Sequence, residues 1–193
     1  MRYALQLNAA HIRLGDIARH YKLPAKVHLE GLATGEIYLA NRFDERTGLP
    51  VLQGGGSIDV PSGKLLNLPV LLNLIKVVKL RVPDETGFEE AHAQFYIRGN
   101  RLKFGSLDLI GNAISLGGEG EMTLDGKNVH FEFFPVWTKL KEMFAQTGDW
   151  TGAISKRFLK IKVSGDIDKL DYKAEPVPGI VDPVKRVLER LKK

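Results

Sequence analysis

Residues 114–125 read ISLGGEGEMTLD, a stretch in which apolar residues and glycines at even positions alternate with polar residues and one glycine at odd positions. Side chains of a β-strand point alternately to the two faces of a sheet, so this period of two predicts a strand with an apolar and a polar face. Residues 52–64 follow the same pattern, and both segments lead into a predicted polar turn, Gly63-Lys64 and Gly126-Lys127. The apolar-face positions are Leu52, Gly54, Gly56, Ile58 and Val60 in one segment and Ile114, Leu116, Gly118, Gly120, Met122 and Leu124 in the other.

The glycines on the apolar face admit two interpretations. A missing side chain lets another layer, or a bound molecule, come close to the backbone. Alternatively, the glycines mark bends or bulges in a strongly curved sheet.

The alternation predicts strands along most of the chain. Gly99-Asn100 predicts a tight hairpin turn, and the alternation slips by one residue at Gly105-Ser106, as a β-bulge would produce. We therefore predict a mainly β fold, a curved and largely antiparallel sheet shaped as a groove, half-barrel or sandwich, with two or three short amphipathic helices. The predicted strands are 2–8, 26–30, 35–41, 51–60, 88–98, 101–110, 113–124, 128–134, 157–164 and 167–173.

Three segments have helical spacing of apolar residues. The first, 70–80, follows Pro69, the second begins at Pro135 and ends before Gly148, and the third begins with Asp182 as its N-cap. The longest charge-free stretch near the first helix, 65–75, is shorter than the ~20 residues that cross a bilayer. We predict one β domain over 1–175, followed by a proline-containing linker and a basic amphipathic helix over 176–193.

The composition is that of a folded chain, with 193 residues of which 44% are hydrophobic and 26% charged. The absence of cysteine excludes disulfides and thiolate metal sites. The net charge of +5 comes from the C-terminal end, where residues 152–193 hold 11 basic and 6 acidic residues. Such an excess of basic residues could bind an anionic surface such as nucleic acid or lipid headgroups. Alternatively, it forms a solvated face that aids solubility.

The sequence lacks the residues that motifs for nucleotide or nucleic-acid binding require. A phosphate-binding P-loop ending at Lys64 would need glycine at position 58, which is Ile58, and Ser or Thr at position 65, which is Leu65. The basic residues Arg157, Lys160 and Lys162 alternate with the aliphatic residues Leu159 and Ile161, which offer no stacking platform for bases. We expect no nucleic-acid partner.

The polar residues give no catalytic or metal-binding pattern. The pairs Glu119/Glu121 and Asp166/Asp168 could hold calcium or act as an acid/base couple, but their strand spacing favours a solvated face. The five histidines lack metal-ligand spacing. We therefore expect a protein that is not an enzyme and uses no cofactor or metal.

Taken together, several segments resemble the C-terminal region of AsmA-like proteins. They are the three-glycine strand 52–60 with the Gly63-Lys64-Leu65 turn, the apolar helix after it, the strand 88–98 and the two strands within 107–124. Residues 162–167, KVSGDI, are similar to the closing strand of that family. The resemblance covers roughly residues 26–173.

The resemblance implies a protein of the Gram-negative-type cell envelope, tethered to the inner membrane by an upstream helix and exposed to the periplasm. It also implies a relation to bridge-like lipid transfer proteins, which serve phospholipid transport and outer-membrane biogenesis through an apolar groove. The chain opens directly in a predicted strand and lacks that membrane helix, so we expect it to be the C-terminal part of a longer protein.

The expected function is that of a lipid-binding or lipid-transfer module whose groove shields acyl chains. The alternative is a structural module that binds an envelope protein by pairing at a sheet edge. The helix over 70–80 would line or close the groove, or else plug the core of a sandwich. The hypothetical lipid-contacting residues are Leu71, Leu72, Leu74, Ile75, Val78, Phe95, Ile97, Phe104, Met122, Leu124, Phe131 and Phe133, and the headgroup-binding residues are Lys76, Lys79 and Arg81.

Overall fold

A computed structural model of the chain describes residues 3–20, 28–43, 48, 50–66, 88–137, 158–177, 179 and 181–191. Strands and two short helices account for nearly all of these residues. The strands are β1 (Ala4–Arg13), β2 (His28–Phe43), β3 (Pro50–Val60), β4 (Gly63–Leu66), β5 (Phe88–Arg98), β6 (Arg101–Gly111), β7 (Ile114–Thr123), β8 (Val129–Trp137), β9 (Phe158–Asp166) and β10 (Lys169–Val177), and the helices are α1 (Leu14–His20) and α2 (Asp182–Arg190).

The strands form one antiparallel sheet. Nine of them lie in the order β1-β2-β3-β5-β6-β7-β8-β9-β10, and β4 pairs with the beginning of β2. Within the described residues, β1 and β10 are the two edges, so the sheet is not closed into a barrel. The predicted fold class, mainly β and largely antiparallel, is confirmed.

The corner between β3 and β4 differs from the predicted turn. The bend falls at Pro61 and Ser62, and Gly63 already belongs to β4, so the turn predicted at Gly63-Lys64 is wrong. Gly31 faces this corner from β2 with φ +124°, and a Cβ atom there would lie 2.6 Å from the carbonyl oxygen of Ser62. The two strands predicted over 26–30 and 35–41 are one continuous strand that passes this corner.

The hairpin and the bulge lie where the alternation predicts them. Gly99 has φ +61°, which a tight turn requires and glycine adopts without strain, and Arg98 pairs with Arg101 across it. The registers of β6 with both of its neighbours, β5 and β7, shift between Phe104 and Leu107. The bulge keeps apolar residues on one face of β6 on both sides of the shift.

The helices of the structure differ from the predicted helices. The helix predicted to begin at Pro135 is wrong at its start, because β8 continues through Pro135 to Trp137. The rest of that segment, 138–148, and the predicted helix 70–80 lie outside the described residues. The C-terminal helix α2 is confirmed, with Val181 instead of Asp182 at the N-cap position. Sequence reasoning missed α1.

Hydrophobic cores lie on both faces of the sheet. The larger cluster draws on β5 to β9 and includes Phe88, Leu116 and Phe133. The smaller one lies on the opposite face, where α2 packs Val184 and Val187 against Phe134 of β8. Since each fully buried aliphatic side chain contributes about 1.5–3 kcal/mol, α2 is an integral part of the fold.

Candidate functional site

One face of the sheet is apolar from edge to edge. Residues paired directly across antiparallel strands have their side chains on the same face. The registers therefore define rows of side chains that cross the sheet on this surface, the apolar face. One row contains Leu7, Ile37, Gly56, Phe95, Phe104, Gly120, Phe131, Val163 and Tyr172, and the next contains Ala9, Gly35, Ile58, Ala93, Leu107, Gly118, Phe133, Ile161 and Ala174.

Four phenylalanines form a chain of ring contacts in the middle of the apolar face. Phe95 and Phe104 have ring centroids 6.1 Å apart, Phe104 and Phe131 are 5.5 Å apart, and Phe131 and Phe133 stack at 5.9 Å. These distances are favourable for aromatic pairs. The four rings therefore bind strands β5, β6 and β8 together.

The glycines of β7 make room for these rings. A Cβ atom on Gly118 would lie 2.7 Å from the ring of Phe133, and one on Gly120 would lie 2.7 Å from the ring of Phe131. The space that each glycine leaves is thus filled from the adjacent strand. Both glycines also lie opposite the register shift of β6 between Phe104 and Leu107, which agrees with the second interpretation, a bulge in the sheet.

Exposure changes along the apolar face. In β1 and β3 the side chains reach solvent, with Leu5 47%, Leu7 49% and Ile58 40% exposed. In β8 and β9 they are covered, with Phe133 3% and Ile161 0% exposed. We call the β1–β3 region the open part of the apolar face and the β6–β9 region the closed part.

The predicted lipid-contacting residues are distributed over both parts or lie beyond the described chain. Phe131 and Phe133 belong to the closed part, and Phe95 is buried beside it. Ile97, Phe104 and Met122 are half-buried, and Leu124 is 45% exposed in the turn after β7. Outside the described residues lie Leu71, Leu72, Leu74, Ile75, Val78, Lys76, Lys79 and Arg81.

The open part was not among the predicted contacts. The sequence predicts a strand at Leu5 and Leu7 and an apolar face at Ile58. The alternation of apolar and polar residues indicates that each of these side chains lies on an apolar face. It does not show that they lie close together, because that depends on the order of the strands. The registers bring Leu7 beside Ile37, and Ile58 beside Gly35.

The opposite face is closed at one place by a buried ion pair. Asp108 of β6 is 0% exposed, and its carboxylate oxygens lie 3.5 Å from a guanidinium nitrogen of Arg186 and 3.4 Å from Nε of Arg190. Arg186 also donates a hydrogen bond to the carbonyl oxygen of Gly118 at 3.0 Å. Part of the C-terminal positive charge is therefore used to fix α2 to the sheet.

Charged side chains of β8, β9 and β10 form cross-strand pairs on the same opposite face. Lys160 Nζ lies 2.9 Å from Glu132 Oε1, and Lys162 Nζ lies 2.8 Å from Glu175 Oε2. The hydrogen bond from Lys162 lowers the pKa of Glu175, and the same bond raises the pKa of Lys162. This part of the opposite face is therefore a charged, hydrated surface.

A histidine between two carboxylates also lies on this face. His92 Nδ1 is 2.6 Å from Asp59 Oδ1, and His92 Nε2 is 3.5 Å from Glu90 Oε2. Among the described residues, no three His, Asp or Glu side chains are grouped so that they could hold a metal ion. The cluster acts as a polar link between β3 and β5.

A cleft of about 580 Å³ opens on the opposite face over β2, β3 and β5. Tyr38 and Tyr96 flank it, with Gln53 and Arg98 at one end. A Cβ atom on Gly55 would lie 2.8 Å from the hydroxyl of Tyr38, so this tyrosine covers the glycine backbone. The Tyr38 ring thus shields Gly55 in the glycine-rich stretch of β3.

Comparisons of the chain with models of protein families, with curated proteins and with solved structures found no match. Neither helix in the described part of the chain has the length and apolar character needed to span a membrane.

Proposed function

We propose that this chain is a non-enzymatic lipid-binding module of the bacterial cell envelope, on the periplasmic side, that shields acyl chains on its apolar face. This is the role that the resemblance to AsmA-like proteins implies. One observation supports the proposal most directly. The apolar rows run from the buried strands to the exposed strands, and they contain no charged side chain. An open sheet with such a surface offers hydrocarbon a place to lie without any catalytic chemistry.

The open part and the adjoining strand β5 together match an acyl chain in length. From β1 to β5 there are three inter-strand spacings of roughly 4.8 Å, or about 14 Å in all. One leaflet of a bilayer has a hydrocarbon layer of about 15 Å, half of the usual ~30 Å. A single acyl chain laid across the strands would cover Leu7, Ile37 and the neighbouring apolar residues.

The driving force for such binding is the hydrophobic effect. Each CH2 group removed from water contributes about 0.8 kcal/mol, so about ten covered CH2 groups contribute about 8 kcal/mol toward an association cost of about 4–15 kcal/mol. The ligand would in turn cover Leu5, Leu7 and Ile58, which are otherwise half-exposed. Lys76, Lys79 and Arg81 keep their hypothetical role as partners of the headgroup phosphate.

The test is a charge placed on the open part with a matched charge on the opposite face. Ile58 and Ser57 are adjacent in β3, so Ile58→Lys and Ser57→Lys introduce the same group on the two sides of the sheet. In Ile58→Lys, hydrocarbon that covers the introduced ammonium group would bury a charge at a cost of several kcal/mol, which is more than the 1.4 kcal/mol of a tenfold change. We expect at least a tenfold loss of binding in the first variant and little loss in the second.

Binding is measured by native mass spectrometry of the chain after incubation with dioleoyl phosphatidylethanolamine vesicles, with circular dichroism as the check of folding. Phospholipid adducts on the wild type and on Ser57→Lys, but not on folded Ile58→Lys, support the proposal. A wild-type chain without phospholipid, or equal adducts on both variants, contradicts it.

A further inference from the structure

The two edges of the sheet are protected unequally. Natural sheets guard their edges with charges and prolines, because a free edge can pair with another strand. The edge strand β10 has such protection, whereas β1 has neither a charge nor a proline from residue 4 to residue 10. The protecting residues of β10 are Lys169, Asp171, Lys173, Glu175 and Pro176.

The backbone of β1 offers hydrogen-bonding groups along its free side. The carbonyl oxygen of Tyr3 accepts a hydrogen bond from the Asn41 amide at 3.0 Å, so odd-numbered residues in this stretch of β1 face β2. In an antiparallel ladder the residues between them direct their N–H and C=O groups to the other side. Ala4, Gln6 and Asn8 therefore present their backbone groups away from β2, where the described part of the chain places no strand.

The side chains of β1 are exposed as well. Tyr3, Leu5 and Leu7 are 52%, 47% and 49% exposed, and all three lie on the apolar face. Nine of the ten residues of the strand are exposed. The apolar face thus ends at β1 with the large side chains of Tyr3, Leu5 and Leu7, and the described part of the chain places no strand beyond them.

We propose that β1 pairs antiparallel with β1 of a second copy of this chain. This occupant fits because the strand is self-complementary about Gln6. In that register Gln6 pairs with Gln6 and Ala4 with Asn8, which joins the free backbone groups through about six hydrogen bonds. Leu5 then lies opposite Leu7 of the other copy, and no like charges meet.

A two-fold axis through Gln6, perpendicular to the sheet, keeps both apolar faces on the same side. Isologous two-fold dimers are the commonest soluble homo-oligomers. The dimer would extend each apolar row into a second sheet and cover the exposed leucines at the edge. This inference stands on the edge strand alone and does not depend on lipid binding.

The register can be tested with single cysteines, because the chain has none of its own. Gln6→Cys places two cysteines at a hydrogen-bonded pair with Cα atoms about 5.5 Å apart, within the range of a disulfide. Asn8→Cys is the matched control on the same strand, since its two copies would lie about 14 Å apart along the strands. We expect mild oxidation to produce covalent dimer from Gln6→Cys and at least tenfold less from Asn8→Cys.

The association itself is tested by sedimentation equilibrium of the full chain. Gln6→Pro removes an N–H group that faces the free edge, a position where an edge strand tolerates proline, and should convert dimer to monomer. Gln6→Ala retains the backbone and should remain dimeric. A wild-type chain that stays monomeric, a dimeric Gln6→Pro, or equal cross-linking of both cysteine variants would overturn the proposal.

Discussion

Replacing both arginines that contact Asp108 should destabilise the fold by more than the two single replacements added together. Asp108 is fully buried, and Arg186 and Arg190 are the cations near its carboxylate in the described structure. Methionine at either position keeps the helical propensity and the apolar part of the side chain. In each single variant one guanidinium still neutralises the carboxylate, so we expect a loss of about 1 kcal/mol.

The double variant leaves a buried carboxylate without a charged partner. Breaking a buried ion pair from one side costs about 3–5 kcal/mol, so the two arginines should show a coupling energy of at least about 1 kcal/mol. A third replacement, Asp108→Asn, removes the unpaired charge and should restore part of the loss. The free energy of unfolding is measured by urea denaturation followed by circular dichroism.

Two results would refute this reasoning. The first is a double variant whose loss equals the sum of the single losses within about 0.5 kcal/mol, the usual limit of additivity for independent sites. The second is a triple variant no more stable than the double variant. The first result would mean that Arg186 and Arg190 act independently of each other, and the second would mean that the unpaired carboxylate of Asp108 is not what destabilises the double variant.

Three further predictions concern the sheet. Phe133→Ala should lower the free energy of unfolding by about 3–5 kcal/mol, whereas Leu7→Ala on the half-exposed edge should cost less than about 1 kcal/mol, as thermal denaturation can show. The pKa of Glu175 lies below its ordinary value of 4.5, so its contribution to stability is complete above that pH and is lost as pH falls through the lowered pKa. Glu175→Gln should therefore flatten the decline of stability below pH 4.5, and an unchanged decline would exclude the Lys162 bond as its cause. Gly31→Ala should cost about 1–3 kcal/mol from backbone strain, and a stability equal to wild type would show that the β2 corner relaxes.

Much of the sheet could be predicted from the sequence because alternation reports directly on burial. The strict pattern from Ala91 to Arg98, the Gly99-Asn100 turn and the slip at Gly105 all appear in the structure at those positions. Each of these features depends on neighbouring residues in the chain. Local patterns of that kind are preserved when the sheet forms.

The errors arose where distant parts of the chain decide the structure. The sequence predicts Pro135 as the first residue of a helix, but in the structure it continues β8 opposite Leu116. The strand tolerates it because the ladder with β9 ends at Phe133, so no partner on that side needs an N–H group from Pro135.

The candidate site shows the same limit. The apolar character of Leu7 and Ile58 was visible in the sequence, but only the strand order makes them one surface. The burial of Asp108 depends on a helix that lies 78 residues further along the chain at Arg186. An alternating Leu-Asp-Leu sequence alone predicts a solvated carboxylate at that position.

The most direct test of the lipid-binding proposal is photo-cross-linking with a phospholipid that carries a diazirine in its acyl chain, followed by peptide mapping. Residues of β2 and β3 alternate between the two faces, so the labelled positions identify the surface that the acyl chain covers. We predict labels on Ile37, Leu39 and Ile58 and none above background on Tyr38 and Ser57. Equal labelling of both faces, or labelling confined to Tyr38 and its neighbours, would contradict the assignment of lipid to the apolar face.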